Sequence, residues 1–188
     1  MKLRLIFILF VLLSTAIQAQ TMLESALKQA RSSVLKANTA AEKAAEHFRF
    51  LEGAYETAEI NQHLLLARED LDSLITYSKK AAYQSSDAAY FAGEAGAEEL
   101  KTRAEEIKKL LQKSTKAQES VMKKIDEFIN YGSYNLDSYL SLLLQDFELG
   151  QTKLQEASRK LKQAQQQLNN TENAPIRLQQ NNPAHPVN

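Results

Sequence analysis

Histidine is the residue type with the widest chemistry in this sequence, because imidazole both transfers protons and binds metal ions. The chain contains His47, His63 and His185. The first two fall near the same end of two consecutive predicted helices, among glutamates such as Glu46 and Glu59. Imidazole and carboxylate together can bind a metal ion, so this end of the molecule is the first candidate site.

The spacing around these histidines argues against a metal centre. Di-iron carboxylate bundles use a Glu-x-x-His motif on each of two helices and an inward glutamate on each of the other two. No glutamate stands three residues before His47 or His63, and the predicted third and fourth helices contain no histidine. Met22 and Met122 have no histidine at their level to share a haem. We therefore interpret both histidines as solvated and predict no metal site and no cofactor.

Catalytic motifs are also missing from the sequence. The chain has no cysteine, no G-x-S-x-G nucleophile motif, and only isolated glycines where a phosphate-binding loop needs several together. Paired carboxylates such as Glu98 and Glu99 alternate with lysines, which is typical of ion pairs on a helix surface. We predict that the protein is not an enzyme.

Charge is balanced overall but unevenly distributed. There are 23 Lys and Arg against 23 Asp and Glu, which argues against a nucleic-acid binder. Residues 52–72 are acidic, whereas residues 101–124 and the later part of the fourth helix are basic. The basic segments could contact a polyanion or an anionic surface, or they could lie beside acidic rows of neighbouring helices. The zero net charge favours the second interpretation.

Aromatic residues concentrate at one end, where the first helix meets the second and the third meets the fourth. Phe48 and Phe128 fit the apolar stripe and would close the core. A hydrophobic lid that seals the bundle end is the first interpretation of the rings outside the stripe, and a protein-contact surface is the second, because rigid amphipathic rings suit protein contacts. The candidate protein-contact residues are Phe50, Tyr55, Tyr131 and Tyr134.

The N-terminus has the organisation of a secretory signal peptide. Lys2 and Arg4 precede an apolar run at residues 5–13, and small residues lead to a predicted cleavage after Ala19. The run is shorter than the about 20 residues that a membrane span needs. We therefore predict export to the periplasm or the medium, with no transmembrane segment after cleavage.

The positions of proline and glycine divide the rest of the chain into four long predicted helices. Every proline lies in the last fourteen residues, and the apolar phase resets at Gly53, at Gly93 to Gly96, and at Gly132. Between these breaks, apolar and small residues recur at alternating steps of three and four, which predicts coiled-coil-like packing. Residues 171–188 lack this period and are predicted to form a disordered tail.

The short turns favour one antiparallel up-down-up-down four-helix bundle over residues 20–170, rather than two hairpins that pair with another chain. Aligning the stripes predicts that the helices meet at mid-height in a waist of small residues, formed by Ala37, Ser114 and Gly150 beside Leu74. Local signals predict a helix start at Thr21 with Glu24 three residues on. They also predict a kink or restart near Asp87.

The sequence thus predicts an exported, non-enzymatic helical bundle that acts by protein binding, as a structural, adaptor or chaperone-like module. Two alternatives stay open: a membrane-active amphipathic protein, and a bundle that encloses a small ligand at its waist. The partner is expected to be another protein, and homo-oligomerisation is a further open alternative.

Overall fold

The computed structural model describes residues 2–51, 53–54, 56–131 and 136–172. It contains four helices, α1 (Lys2–Leu51), α2 (Thr57–Glu94), α3 (Glu98–Tyr131) and α4 (Leu136–Glu172). Helices α1 and α3 each pack against both α2 and α4. The predicted all-helical up-down-up-down bundle is confirmed, and the described part of the chain contains no strand.

The predicted apolar stripes form the core of this bundle. Each stripe residue is buried except Phe128 and Leu136, which are partly buried at the end of the core. The largest side chains with almost no exposure come from all four helices: Phe48, Leu23, Leu27, Leu51, Leu64, Leu71, Leu74, Ile107, Leu111, Ile125, Leu143 and Leu154.

The turn between α2 and α3 shows why a glycine ends a helix there. Gly96 adopts a left-handed conformation with φ of 71°, which costs other residues steric strain. The amide of Ala97 donates to the carbonyl of Ala92 at 2.8 Å, and that of Gly96 donates to Gly93 at 3.0 Å. These two bonds form a Schellman motif, which satisfies carbonyls at the end of α2.

Two local signals do not interrupt the helices. In the full chain, helix α1 does not begin at Thr21, because the helix runs without a break from Lys2 and the Thr21 hydroxyl donates back to the carbonyl of Ile17 at 3.1 Å. Helix α2 does not restart at Asp87, so that of the predicted kink or restart the restart is wrong. The Ser85 hydroxyl instead donates to the carbonyl of Ala81 at 2.8 Å, so the helix itself satisfies it.

Helix α4 extends to Glu172, two residues into the segment predicted to be the tail. The rest of that segment, residues 173–188, lies outside the described residues. At the other end, residues 2–19 continue α1, and Ala19 is 9% exposed. Within the part of the chain that the structure describes, no helix has an apolar stretch of the length and purity needed to cross a bilayer.

The predicted waist has the expected inward glycine. Gly150 is buried, and its carbonyl accepts a 2.8 Å hydrogen bond from the hydroxyl of Ser114 on α3. A Cβ atom at Gly150 would collide with the Gln118 side chain, whose Cδ lies 2.8 Å from that point. A larger residue here would therefore force the Gln118 side chain to move, because its amide fills the space beside the α4 backbone.

Candidate functional site

The aromatic end of the bundle contains two pairs of rings that close the core. Phe48 on α1 meets Phe147 on α4 edge to face, with ring centroids 4.9 Å apart. Phe128 on α3 contacts Tyr139 on α4 at 4.8 Å. Burial of Tyr139 raises the pKa of its phenol to about 12, so this ring stays neutral at ordinary pH. Both pairs link α4 to a neighbouring helix at the end of the core.

Two of the four predicted contact residues lie outside these two ring pairs. Phe50 is 47% exposed and Tyr131 is 73% exposed, at the C-terminal ends of α1 and α3 respectively. Because α1 and α3 run in the same direction, both rings lie at the same end of the bundle. The other two, Tyr55 and Tyr134, lie outside the described residues.

Phe50 is held in place by the histidines of the same end. Its ring stacks on the imidazole of His63, with a centroid distance of 3.7 Å and an angle of 18°. The Nδ1 atoms of His63 and His47 lie 3.1 Å apart, so one imidazole donates a hydrogen bond to the other. Asp70 Oδ2 lies 3.6 Å from His47 Nε2. Phe50 therefore packs on a polar cluster that joins α1 to α2.

The interpretation of His47 and His63 as solvated was wrong. Both are half-buried and contact each other across the α1–α2 interface. Each stands beside the apolar stripe, where a side chain can turn either to solvent or to the neighbouring helix, so periodicity did not reveal the pair. Among the described residues, no group of three or more His, Asp and Glu side chains is arranged to hold a metal ion.

Among the described residues, two basic residues of α3 and α4 pair with an acid across a helix interface, and four others pair with an acid of their own helix. The second interpretation of the charge pattern therefore holds only in part. Lys124 pairs with Asp146, and Lys160 with Glu106 at 2.8 Å. The bond from Lys124 lowers the pKa of the Asp146 carboxyl, and a bond from the Ser120 hydroxyl lowers it further. These pairs fix the relative positions of α3 and α4.

A different arrangement occurs between α2 and α3, where lysines surround an open groove with a volume of about 730 Å³. Lys79 forms a 2.8 Å ion pair with Glu119, which raises the pKa of the Lys79 amine. Lys108 donates to the Ser86 hydroxyl at 3.1 Å. The groove is lined by Lys79, Ala82, Tyr83, Ser86, Lys108, Lys109, Gln112, Lys113, Thr115, Lys116 and Glu119.

Sequence reasoning missed this groove because its residues come from two helices. The basic run on α3 was recognised, but Tyr83 on α2 was not connected with it. Tyr83 is 74% exposed, and Tyr90, seven residues later on the same outer face, is 64% exposed. Their positions away from the apolar stripe were the signal that could have identified them as surface aromatics.

Comparison with known proteins adds no further constraint on the site: no protein family, curated protein or solved structure matches this chain.

Proposed function

We propose that this protein is an exported, non-enzymatic helical bundle that binds another protein through its aromatic end. The observation that supports the proposal is that the aromatic rings at that end fall into two groups, one packed in the core and one exposed. Phe48 and Phe128 pack against rings of α4 and close the core, whereas Tyr131 is largely exposed and Phe50 is about half exposed.

This division supports a contact site over a lid. A lid residue contributes to folding by burying its own apolar surface, whereas Tyr131 keeps most of its surface in solvent. Tyrosine and phenylalanine are also enriched at protein interfaces, where they bury large areas at low cost in side-chain entropy.

Support for export comes from the sequence of residues 1–19, and support for a non-enzymatic role from the absence of catalytic motifs. The alternative of a ligand enclosed at the waist is disfavoured, because the buried side chain of Gln118 fills the space beside Gly150. Among the described residues of the aromatic end, the histidine pair alone has side chains that commonly transfer protons.

The test compares two variants that each remove two exposed apolar side chains. Phe50→Ser with Tyr131→Ser alters the aromatic end, and Tyr90→Ser with Leu149→Ser is the matched control on other surfaces. Each chain serves as bait for crosslinking in the envelope fraction of the source cells, and captured proteins are identified by mass spectrometry. The purified partner is then titrated against each chain.

We expect wild type and the control to capture the same partner and the aromatic-end variant to lose it while still unfolding cooperatively. Tyr131→Ser and the control changes should alter stability by less than about 0.5 kcal/mol, and loss of the Phe50–His63 stack should cost the aromatic-end variant no more than about 1.5 kcal/mol. Equal binding by all three chains would overturn the proposal. Cooperative destabilisation beyond this limit in the aromatic-end variant alone would instead establish the lid.

A further inference from the structure

The groove between α2 and α3 has a predominantly positive lining. Five lysines line it, and Glu119 is its one acidic residue. The carboxylate of Glu119 is already engaged by Lys79. In the described part of the chain, Lys113 and Lys116 have no hydrogen-bond or ion-pair partner. Since clustered like charges repel one another, the groove favours an anionic occupant.

The lysines on α3 form a linear array. Lys109, Lys113 and Lys116 recur at steps of four and three residues, so they lie on one side of the helix and are spaced by about one turn, or about 5.4 Å. A ligand with charges repeated along a chain can contact all three, whereas a single small anion cannot. The concave cross-section between two helices also suits a chain better than a flat bilayer surface.

Tyr83 adds a second feature to the wall of this groove. Its ring comes from α2, opposite the lysine array, and is largely exposed. An exposed aromatic face can pack against the C–H face of a sugar ring or against a nucleobase. Proteins that bind single-stranded nucleic acids combine a positively charged groove with aromatic side chains, and the same two kinds of contact are open to another linear polyanion whose rings have an apolar face.

We propose that this groove binds a linear anionic polysaccharide, with Lys109, Lys113 and Lys116 pairing with its anionic groups and Tyr83 packing on a sugar ring. A polysaccharide is favoured over a nucleic acid because the N-terminus resembles an export signal, which would bring the groove to the polysaccharides outside the cytoplasm; this choice rests on the proposed export. This surface is separate from the aromatic end, so the proposal does not depend on a protein partner there.

The experiment titrates the full chain with alginate oligosaccharides, a linear polyuronate, by isothermal calorimetry at low ionic strength. Polyglutamate supplies repeated carboxylates without sugar rings, single-stranded DNA supplies phosphates and bases, and dextran supplies sugar rings without charge. Lys109→Glu/Lys113→Glu/Lys116→Glu is the groove variant. Lys43→Glu/Lys80→Glu/Lys162→Glu is the control, because it makes the same charge change on exposed lysines elsewhere.

We expect alginate to bind, with affinity that falls as salt rises because counterions are released and charges are screened. The groove variant should lose at least roughly tenfold in affinity, and the control less than about threefold, since only the first removes direct contacts. Tyr83→Ala should weaken alginate binding several-fold while leaving any polyglutamate binding unchanged.

Three results would overturn the proposal. Absence of alginate binding removes it outright. Equal losses in the groove variant and the control would show that only net charge matters. The groove would not select an anionic polysaccharide if polyglutamate or single-stranded DNA bound as tightly as alginate. The same conclusion would follow if dextran bound and the lysine substitutions left its affinity unchanged.

Discussion

At the scale of single residues, the main feature in the middle of the bundle is the close contact between the backbone of Gly150 and the side chain of Gln118. Gly150 on α4 and Gln118 on α3 occupy the same level, and the Gln118 amide donates to the carbonyl of Phe147 at 3.3 Å. The sequence predicted that Gly150 faces inward, because it occupies a stripe position. It could not predict the hydrogen bonds, since periodicity gives the direction of a side chain and not the geometry of its polar atoms.

Gly150→Ala is expected to destabilise the protein by about 1–2 kcal/mol. Alanine favours a helix over glycine by roughly 0.5–1 kcal/mol, but the new Cβ collides with Gln118, which is fully buried. Overpacking of this kind typically costs about 1–3 kcal/mol and outweighs the gain in helix propensity. Urea unfolding monitored by circular dichroism measures the change in the free energy of unfolding.

The double variant Gly150→Ala/Gln118→Ala is the control for this mechanism. Shortening Gln118 removes the group that the new methyl meets, so the alanine at position 150 should become neutral or stabilising in that background. The expected coupling between the two sites is about 1 kcal/mol or more. A more stable Gly150→Ala single variant would contradict the explanation.

At the scale of helices, the sequence predicted the number of elements, their boundaries near the glycines and their buried faces. The predictions that failed concern sequence signals for the start or the end of a helix. The Thr21–Glu24 spacing and the Ser85–Asp87 segment are both compatible with a cap, yet the helix continues through each. Cap preferences are worth about 1 kcal/mol, and a long helix whose apolar face packs on its neighbours can override them.

The ion pair between α3 and α4 gives a pH prediction at this scale. The pKa of the Asp146 carboxyl is lowered from its ordinary value of 3.8, chiefly by its bond from Lys124. A lowered native-state pKa means that the carboxylate stabilises the fold above the unfolded-state pKa. That contribution is lost as the pH falls through the lowered value. Asp146→Asn should therefore be less stable than wild type at pH 7 by about 0.5–1 kcal/mol.

Unfolding by urea at a series of pH values from 7 down to 2 tests this expectation. The difference between wild type and Asp146→Asn should shrink as the wild-type carboxylate is protonated. Asp87→Asn is the matched control, because Asp87 is exposed and forms no ion pair among the described residues. A difference for Asp146→Asn that stays constant down to pH 2 would contradict the electrostatic origin.

At the scale of the whole molecule, the stripe of apolar and small residues was enough to predict the architecture, because a repeated seam leaves few ways to bury four long helices together. The candidate binding surfaces were harder to predict from the sequence. Phe50 and Tyr131 were identified because they depart from the stripe near a turn. The groove beside Tyr83 required the relative placement of α2 and α3, which is set by side-chain packing along the whole interface.

The final prediction concerns the first nineteen residues. Leu23 is the first described residue of α1 in the main apolar cluster; Ala19 is buried and Ile17 is 62% exposed. If residues 1–19 are a leader, a chain that begins at Gln20 should keep all four helices and unfold with a free energy within about 1 kcal/mol of the full chain, because terminal segments usually contribute little to stability. Thermal unfolding by circular dichroism compares the two chains, and mass spectrometry of the protein from the envelope fraction should find Gln20 at the N-terminus. Large destabilisation of the shortened chain, or an intact Met1 in that fraction, would show that residues 1–19 belong to the folded bundle rather than to a removable leader.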